Sequence, residues 1–232
     1  IPPAAVRIGG VLLDARLMFA NMTSLFETLP KYVRHGYPAD FACPTCRRAR
    51  EARRAAEVLG ATIELIALGG DAHFEARPAY AIKLAAILRR HRPSIVLAPS
   101  LVENQHPDHV RLGQLVRDAC RLARYGGLRE LKSQQPHAIG QLFFYAVTPD
   151  AEPSDLGRVL VDVSATDVVA RWTAAMEAHA SQLPTRNYVE LQLTRARLNG
   201  LRAGVGHAIP LFPSDPLVVD SLAVLDRAAR RF

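Results

Sequence analysis

One stretch restricts the fold of this 232-residue chain more than any other: Ser94-Ile95-Val96-Leu97-Ala98-Pro99, followed by a polar loop and then a long helical pattern. The run is apolar at successive positions, so a strand there has two faces to bury, as a central strand of a parallel sheet does. Pro99 has no N–H to donate and ends the pairing. The flanking sequence alternates in the same way. Ala81, Leu84, Ala85 and Leu88 recur at helical spacing between Pro78 and Arg90. A helix over 46–59 stops at Gly60, the residue best suited to a left-handed close.

Further strands are expected over 9–13, 39–43, 62–66, 141–147 and 158–163. Further helices are expected over 22–36, interrupted at Pro30, from the 103–109 loop to about Arg124, over 167–182 and over 189–201. Ser164 and Asp167 are spaced like a capping box. A Pro-rich tail follows through Pro210, Pro213 and Pro216. Alternating strands and helices predict one α/β domain over 1–232, a Rossmann-like, mostly parallel sheet with helices on both faces. A C-terminal helical and loop extension completes it.

Composition removes several function classes. With 49% apolar residues the chain can bury a core, which excludes disorder as its main state. No run approaches the ~20 apolar residues of a membrane helix, and the first residues lack a charged segment leading into an apolar one. No membrane partner is expected, and the cytosol is the expected location. The net charge is +7, and 26 of the 29 bases are Arg, since Lys31, Lys83 and Lys132 are the only lysines. Arg forks suit anions, but these are spread along the chain, aromatic content is 6%, and no nucleic-acid motif accompanies them. Nucleic acid is therefore not an expected partner.

Three cysteines admit no even disulfide framework. Cys43 and Cys46 have the C-x-x-C spacing of metal ligation or redox exchange, with no second pair or His pair nearby. Cys120 falls in an apolar helical pattern and is expected in the core, as are Trp172 and Met176, four apart on one helical face, and His179. His91 and His137 are expected at exposed element ends.

Open α/β sheets bind ligands where strands run into helices. The loop after 94–99 holds His106-Pro107-Asp108-His109: two imidazoles and a carboxylate within four residues. An imidazole ligates zinc well when a carboxylate fixes its second nitrogen, and a second, protonated imidazole can steady an oxyanion.

These residues, with the strand before them, resemble the LmbE/PIG-L family of zinc-dependent N-acetylglucosaminide deacetylases. Arg48-x-x-Glu51, the strand at Leu142-Phe143-Phe144-Tyr145, Ala178-His179-Ala180-Ser181-Gln182 and Arg195-Ala196-Arg197-Leu198-Asn199-Gly200 are similar to later parts of that family. The resemblance, over about 46–222, implies a Rossmann-like fold and a small amino-sugar conjugate as partner; homo-oligomerisation is compatible with it. It implies zinc bound by His109, oxyanion stabilisation by His106, an orienting role for Asp108 and substrate contact by Arg48. Where the family shows Tyr-Ala-Glu, this chain has His207-Ala208-Ile209, which makes His207 a substrate-side candidate.

The family's first motif, Ala-His-Pro-Asp-Asp-x-Glu, aligns best with Ala15-Arg16-Leu17-Met18-Phe19-Ala20-Asn21. None of these is a His, Cys, Asp or Glu that replaces the lost His and Asp, and the Arg16 guanidinium has no acceptor. Two expectations follow. The chain hydrolyses an N-acetyl group, with Cys43 and Cys46 substituting as zinc ligands beside His109, or it is a metal-free pseudoenzyme that binds a sugar conjugate as a binding or scaffold protein.

Overall fold

A computed structural model of the chain describes residues 5–8, 11–14, 47–61, 63, 64, 66, 75–103, 107–181, 183, 187–226, 228 and 229. Near the start, β1 (Ala5–Ile8) and β2 (Val11–Asp14) form an antiparallel two-stranded sheet with Ile8 opposite Val11. The main elements are α1 (Arg47–Val58), α2 (Pro78–His91), β3 (Ile95–Pro99), α3 (Pro107–Arg124), β4 (Gln141–Tyr145), β5 (Val159–Asp162), α4 (Thr166–Glu177), α5 (Tyr188–Ala203) and β6 (Ala208–Pro213). The four later strands make one sheet in the order β3-β4-β6-β5.

The α/β class is as expected, but among the described strands only β3 and β4 are parallel, with Ile95 opposite Gln141 and Pro99 opposite Tyr145. The β4–β6 and β6–β5 pairs are antiparallel, which corrects the expectation of a mostly parallel sheet. A single crossover helix, α3, joins β3 to β4, as parallel neighbours require. Two helices, α4 and α5, join β5 to β6, and the second reversal brings β6 back antiparallel. A second correction concerns the Pro-rich tail, whose first part is β6. Pro210 pairs with Leu160 of β5, while β4 pairs with Phe212 and Pro213 only, so Pro210 has one strand neighbour, where a missing N–H is tolerated.

The core explains the helix assignments. Val96, Leu97 and Ala98 of β3 are buried with Ala81, Leu84, Ala85 and Leu88 of α2, Leu115 and Ala119 of α3, Ala52 and Ala55 of α1, and Leu59 just past α1. A smaller cluster joins Val163, Val168, Trp172, Met176 and Ala196, packing α4 and α5 against the β5–β6 end. Trp172, Met176 and His179 are buried as expected, and Cys120 packs partly buried against the main core.

Other expectations change. Ser164 does not cap α4, whose N-cap Ala165 makes no side-chain bond. His91 is half-buried with Nε2 3.5 Å from the Glu64 carboxylate, which the Arg90 guanidinium holds below the usual carboxylate range. His137 is also half-buried, its Nε2 2.7 Å from the Pro93 carbonyl. The segments expected at 22–36 and 39–43 lie outside the described residues; Ile63, Glu64 and Ile66 are described and belong to no strand.

Candidate functional site

Helix α3 begins at Pro107, whose fixed φ and missing N–H suit the first turn of a helix. The next two residues are polar yet enclosed, Asp108 at 5% and His109 at 7% exposure. Asp108 Oδ1 accepts a hydrogen bond from Arg111 Nη1 at 3.0 Å, one turn on. Its carboxylate also faces the positive end of the helix dipole. Gly113 lets α3 lie against the end of β3, for a Cβ there would run into the Pro99 carbonyl oxygen and sit 3.0 Å from Leu101 Cδ2. Ser100 prolongs the parallel pairing, its N–H donating to the Tyr145 carbonyl at 2.8 Å while its Oγ accepts from the Val102 N–H at 3.1 Å. Asp108 and His109 therefore stand at the C-terminal edge of the β3–β4 pair, where such sheets bind ligands.

His207 reaches the same edge from another element. Phe212 pairs with Phe144, which places His207, five residues earlier, beyond the C-terminal end of β4. Its N–H donates to Ser164 Oγ at 2.9 Å, and its carbonyl accepts from the Val163 N–H at 3.0 Å. The Ser164 hydroxyl thus holds the β6 approach instead of a helix end. The corner depends on Gly200, where a Cβ would lie 2.6 Å from the Gly206 oxygen and 2.8 Å from His207 Cα.

Arg48 lies in the first turn of α1. One turn later, Glu51 accepts hydrogen bonds from the N–H and Oγ of Ser181 at 3.1 and 2.6 Å, tying α1 to the chain just past α4. His106, Cys43, Cys46 and the stretch 15–21 lie outside the described residues. The structure thus brings Asp108, His109 and His207 to one sheet edge. For zinc, His109 offers one enclosed imidazole, but among the described residues no three His, Cys, Asp or Glu side chains gather to hold a metal ion. A catalytic zinc takes three protein ligands, so the described donors alone do not make that site.

Sequence reasoning missed a small cavity next to this edge, lined among others by Tyr145, Trp172, Gln192, Arg195 and Asn199. Gln192 Nε2 donates to the Val147 carbonyl at 3.0 Å and Arg195 Nη1 to the Ala146 carbonyl at 2.7 Å, fixing α5 beyond the end of β4. Trp172 Nε1 is buried without a hydrogen-bond partner among the described residues. Burial of Trp172 was legible from helical spacing; its place in the lining of this cavity was not.

Residues 31–120 match the family model GlcNAc-PI de-N-acetylase, PIG-L. A diacetylchitobiose deacetylase of Thermococcus kodakarensis is 30% identical over 145 residues, 60% of this chain and 50% of that protein. The chain thus spans about half the length of this curated relative. Among solved structures, a conserved protein of Thermus thermophilus has 30% identity and a TM-score of 0.61, with 75% of each chain covered. The N,N'-diacetylchitobiose deacetylase of Pyrococcus horikoshii shares the fold at TM-score 0.63 and 18% identity, over 85% of this chain and 78% of that one. The fold, the loop and these matches agree: the chain belongs to the PIG-L (LmbE-like) deacetylase family. Among the described residues no helix is long and apolar enough to cross a membrane.

Proposed function

We propose that this protein binds a small N-acetylated amino-sugar conjugate at the β3–α3 edge and removes its acetyl group. The observation that carries this reading is the pair Asp108 and His109, polar yet enclosed at the start of α3 over the end of β3. Water adds to the acetyl carbon, the C–N bond breaks, the amine nitrogen takes a proton, and acetate leaves with the free amine. His106 donates a hydrogen bond to the amide oxygen as negative charge builds there, aided by the positive end of α3. Asp108 orients the loop through its position and its bond to Arg111. Arg48 and His207 contact the sugar conjugate. Zinc is assigned to His109 with Cys43 and Cys46, and when bound it supplies an acidified water.

A second reading has its own support: positions 15–21 carry no His, Cys, Asp or Glu, where the resemblance implies two zinc ligands. On that reading the chain keeps the cleft as a metal-free binding or scaffold protein. Metal content of the purified protein, measured with acetate release from N,N'-diacetylchitobiose, separates the two. About one zinc per chain, lost together with acetate release in both Cys43→Ala and His109→Ala, supports hydrolysis. Less than about a tenth of an equivalent, with no acetate from zinc-supplemented protein, rejects it.

A further inference from the structure

Breaking an amide leaves the nitrogen with an electron pair that must take up a proton, and a positioned side chain that supplies it speeds such a step by about 10² to 10⁴. Imidazole is the group most often used for this. Five histidines are described. Four of them are committed elsewhere or enclosed: His91 Nε2 lies 3.5 Å from the Glu64 carboxylate, His137 Nε2 lies 2.7 Å from the Pro93 carbonyl, and His109 and His179 are buried. The fifth, His207, is half-buried, and its ring hydrogen-bonds to none of the described residues.

The backbone of His207, by contrast, is tightly held. Its N–H donates to Ser164 Oγ at 2.9 Å, and its carbonyl accepts from the Val163 N–H at 3.0 Å. Ser164 Oγ in turn donates to Asp162 Oδ1 at 2.5 Å, and Arg197 Nη1 donates to the Gly206 carbonyl at 2.9 Å. Asp162 and Arg197 are the charged groups that meet this corner. None of these bonds uses the imidazole, so the corner fixes where the ring is rooted and leaves its nitrogens for a ligand. The corner also faces the site across one strand. Both β3, which leads to Asp108 and His109, and β6, which His207 enters, are neighbours of β4, so they stand about 10 Å apart at this edge. We propose, on the basis of the deacetylase reading above, that His207 is the catalytic acid of this site: a conjugate bound at the start of α3 reaches across the end of β4 with its amide nitrogen at the His207 ring. Water adds to the acetyl carbon and gives up its own proton to solvent. As the C–N bond breaks, its electron pair stays on nitrogen, which takes the proton of the His207 imidazolium; the neutral ring then recovers a proton from solvent.

Steady-state acetate release from N,N'-diacetylchitobiose by the zinc-supplemented whole chain tests this. Since the ring makes none of the bonds that build the corner, His207→Gln and His207→Ala are expected to keep the urea midpoint of the unsubstituted chain. Glutamine keeps a hydrogen-bonding side chain but has no proton to give, so His207→Gln is expected to lower kcat about 100-fold with KM within about threefold. Free imidazole added to His207→Ala is expected to restore kcat at least about tenfold. A kcat within about threefold of the unsubstituted chain in both variants overturns the assignment, and so does a loss confined to KM, which leaves His207 a contact only. An unsubstituted chain that releases no acetate overturns the deacetylase reading itself, and the role of His207 with it.

Discussion

Arg89 offers a sharp test of how the site is held. It projects from α2 and is 4% exposed, and among the described residues it meets no carboxylate. Its guanidinium instead donates to backbone carbonyls: Nε to Ala123 at 2.9 Å, Nη1 to Leu131 at 2.8 Å and Gln134 at 3.0 Å, and Nη2 to Tyr125 and, at 3.5 Å, to Leu122. All five N–H groups are used. Several of these carbonyls end α3, where the helix dipole favours a cation. Replacement by alanine does not strand every acceptor, because Ala123 also accepts from the His137 N–H, Leu131 from Gln134, and Leu122 from Tyr125. The Tyr125 and Gln134 carbonyls lose the partner that Arg89 gave them. At about 1–3 kcal/mol for each acceptor left unmade, plus the charged bonds lost elsewhere, Arg89→Ala is expected to cost about 3–5 kcal/mol. Arg89→Lys, with three donors on one nitrogen, is expected to recover only part of that. Urea denaturation followed by circular dichroism measures both. Since a domain is stable by about 5–15 kcal/mol, Arg89→Ala should move the midpoint far to lower urea. A loss under about 1 kcal/mol would show that water serves these carbonyls as well as Arg89 does, and that the far end of α3 needs no clamp.

Two further outcomes follow from packing and burial. Gly113→Ala and Gly200→Ala each push a Cβ into backbone, at the Pro99 carbonyl and the Gly206–His207 corner, and each is expected to lower stability by about 1–3 kcal/mol, read from urea midpoints. An unchanged midpoint would mean that the backbone yields freely there. Burial pushes the Cys120 thiol up to about 12, so the folded chain keeps that proton while the unfolded chain releases it near pH 8.5. Stability contributed by the neutral thiol is therefore present below about pH 8.5 and lost as pH rises toward 12. Cys120→Ala should flatten that alkaline decline, by as much as about 1.4 kcal/mol per pH unit, in urea melts between about pH 9 and 11. Equal slopes for the two proteins would refute the burial argument.

Much of the fold was legible because local chemistry and burial point the same way. Within the 94–99 run, 96–99 are buried as read, with β3 at Ile95–Pro99, and the spacing of Ala81, Leu84, Ala85 and Leu88 became the buried face of α2. Pairing direction was not legible, since antiparallel and parallel partners make the same apolar demands of Phe144 or Leu211. The two prolines that hid β6 mislead for a related reason: a rule about missing N–H groups depends on how many neighbours a strand has, and only the finished sheet fixes that number. The site divides along the same line. Asp108 and His109 could be singled out because the loop and helix start that follow a strand come next to it in sequence. Arg89, Trp172 and the Glu51–Ser181 tie could not, since each acts on groups far away in the chain. Glu51 reaches across 130 positions and Arg89 across as many as 45. Function read from adjacency therefore reaches the residues of one loop, whereas the contacts that hold that loop's helix in place become visible only once distant backbone carbonyls are brought within donor range.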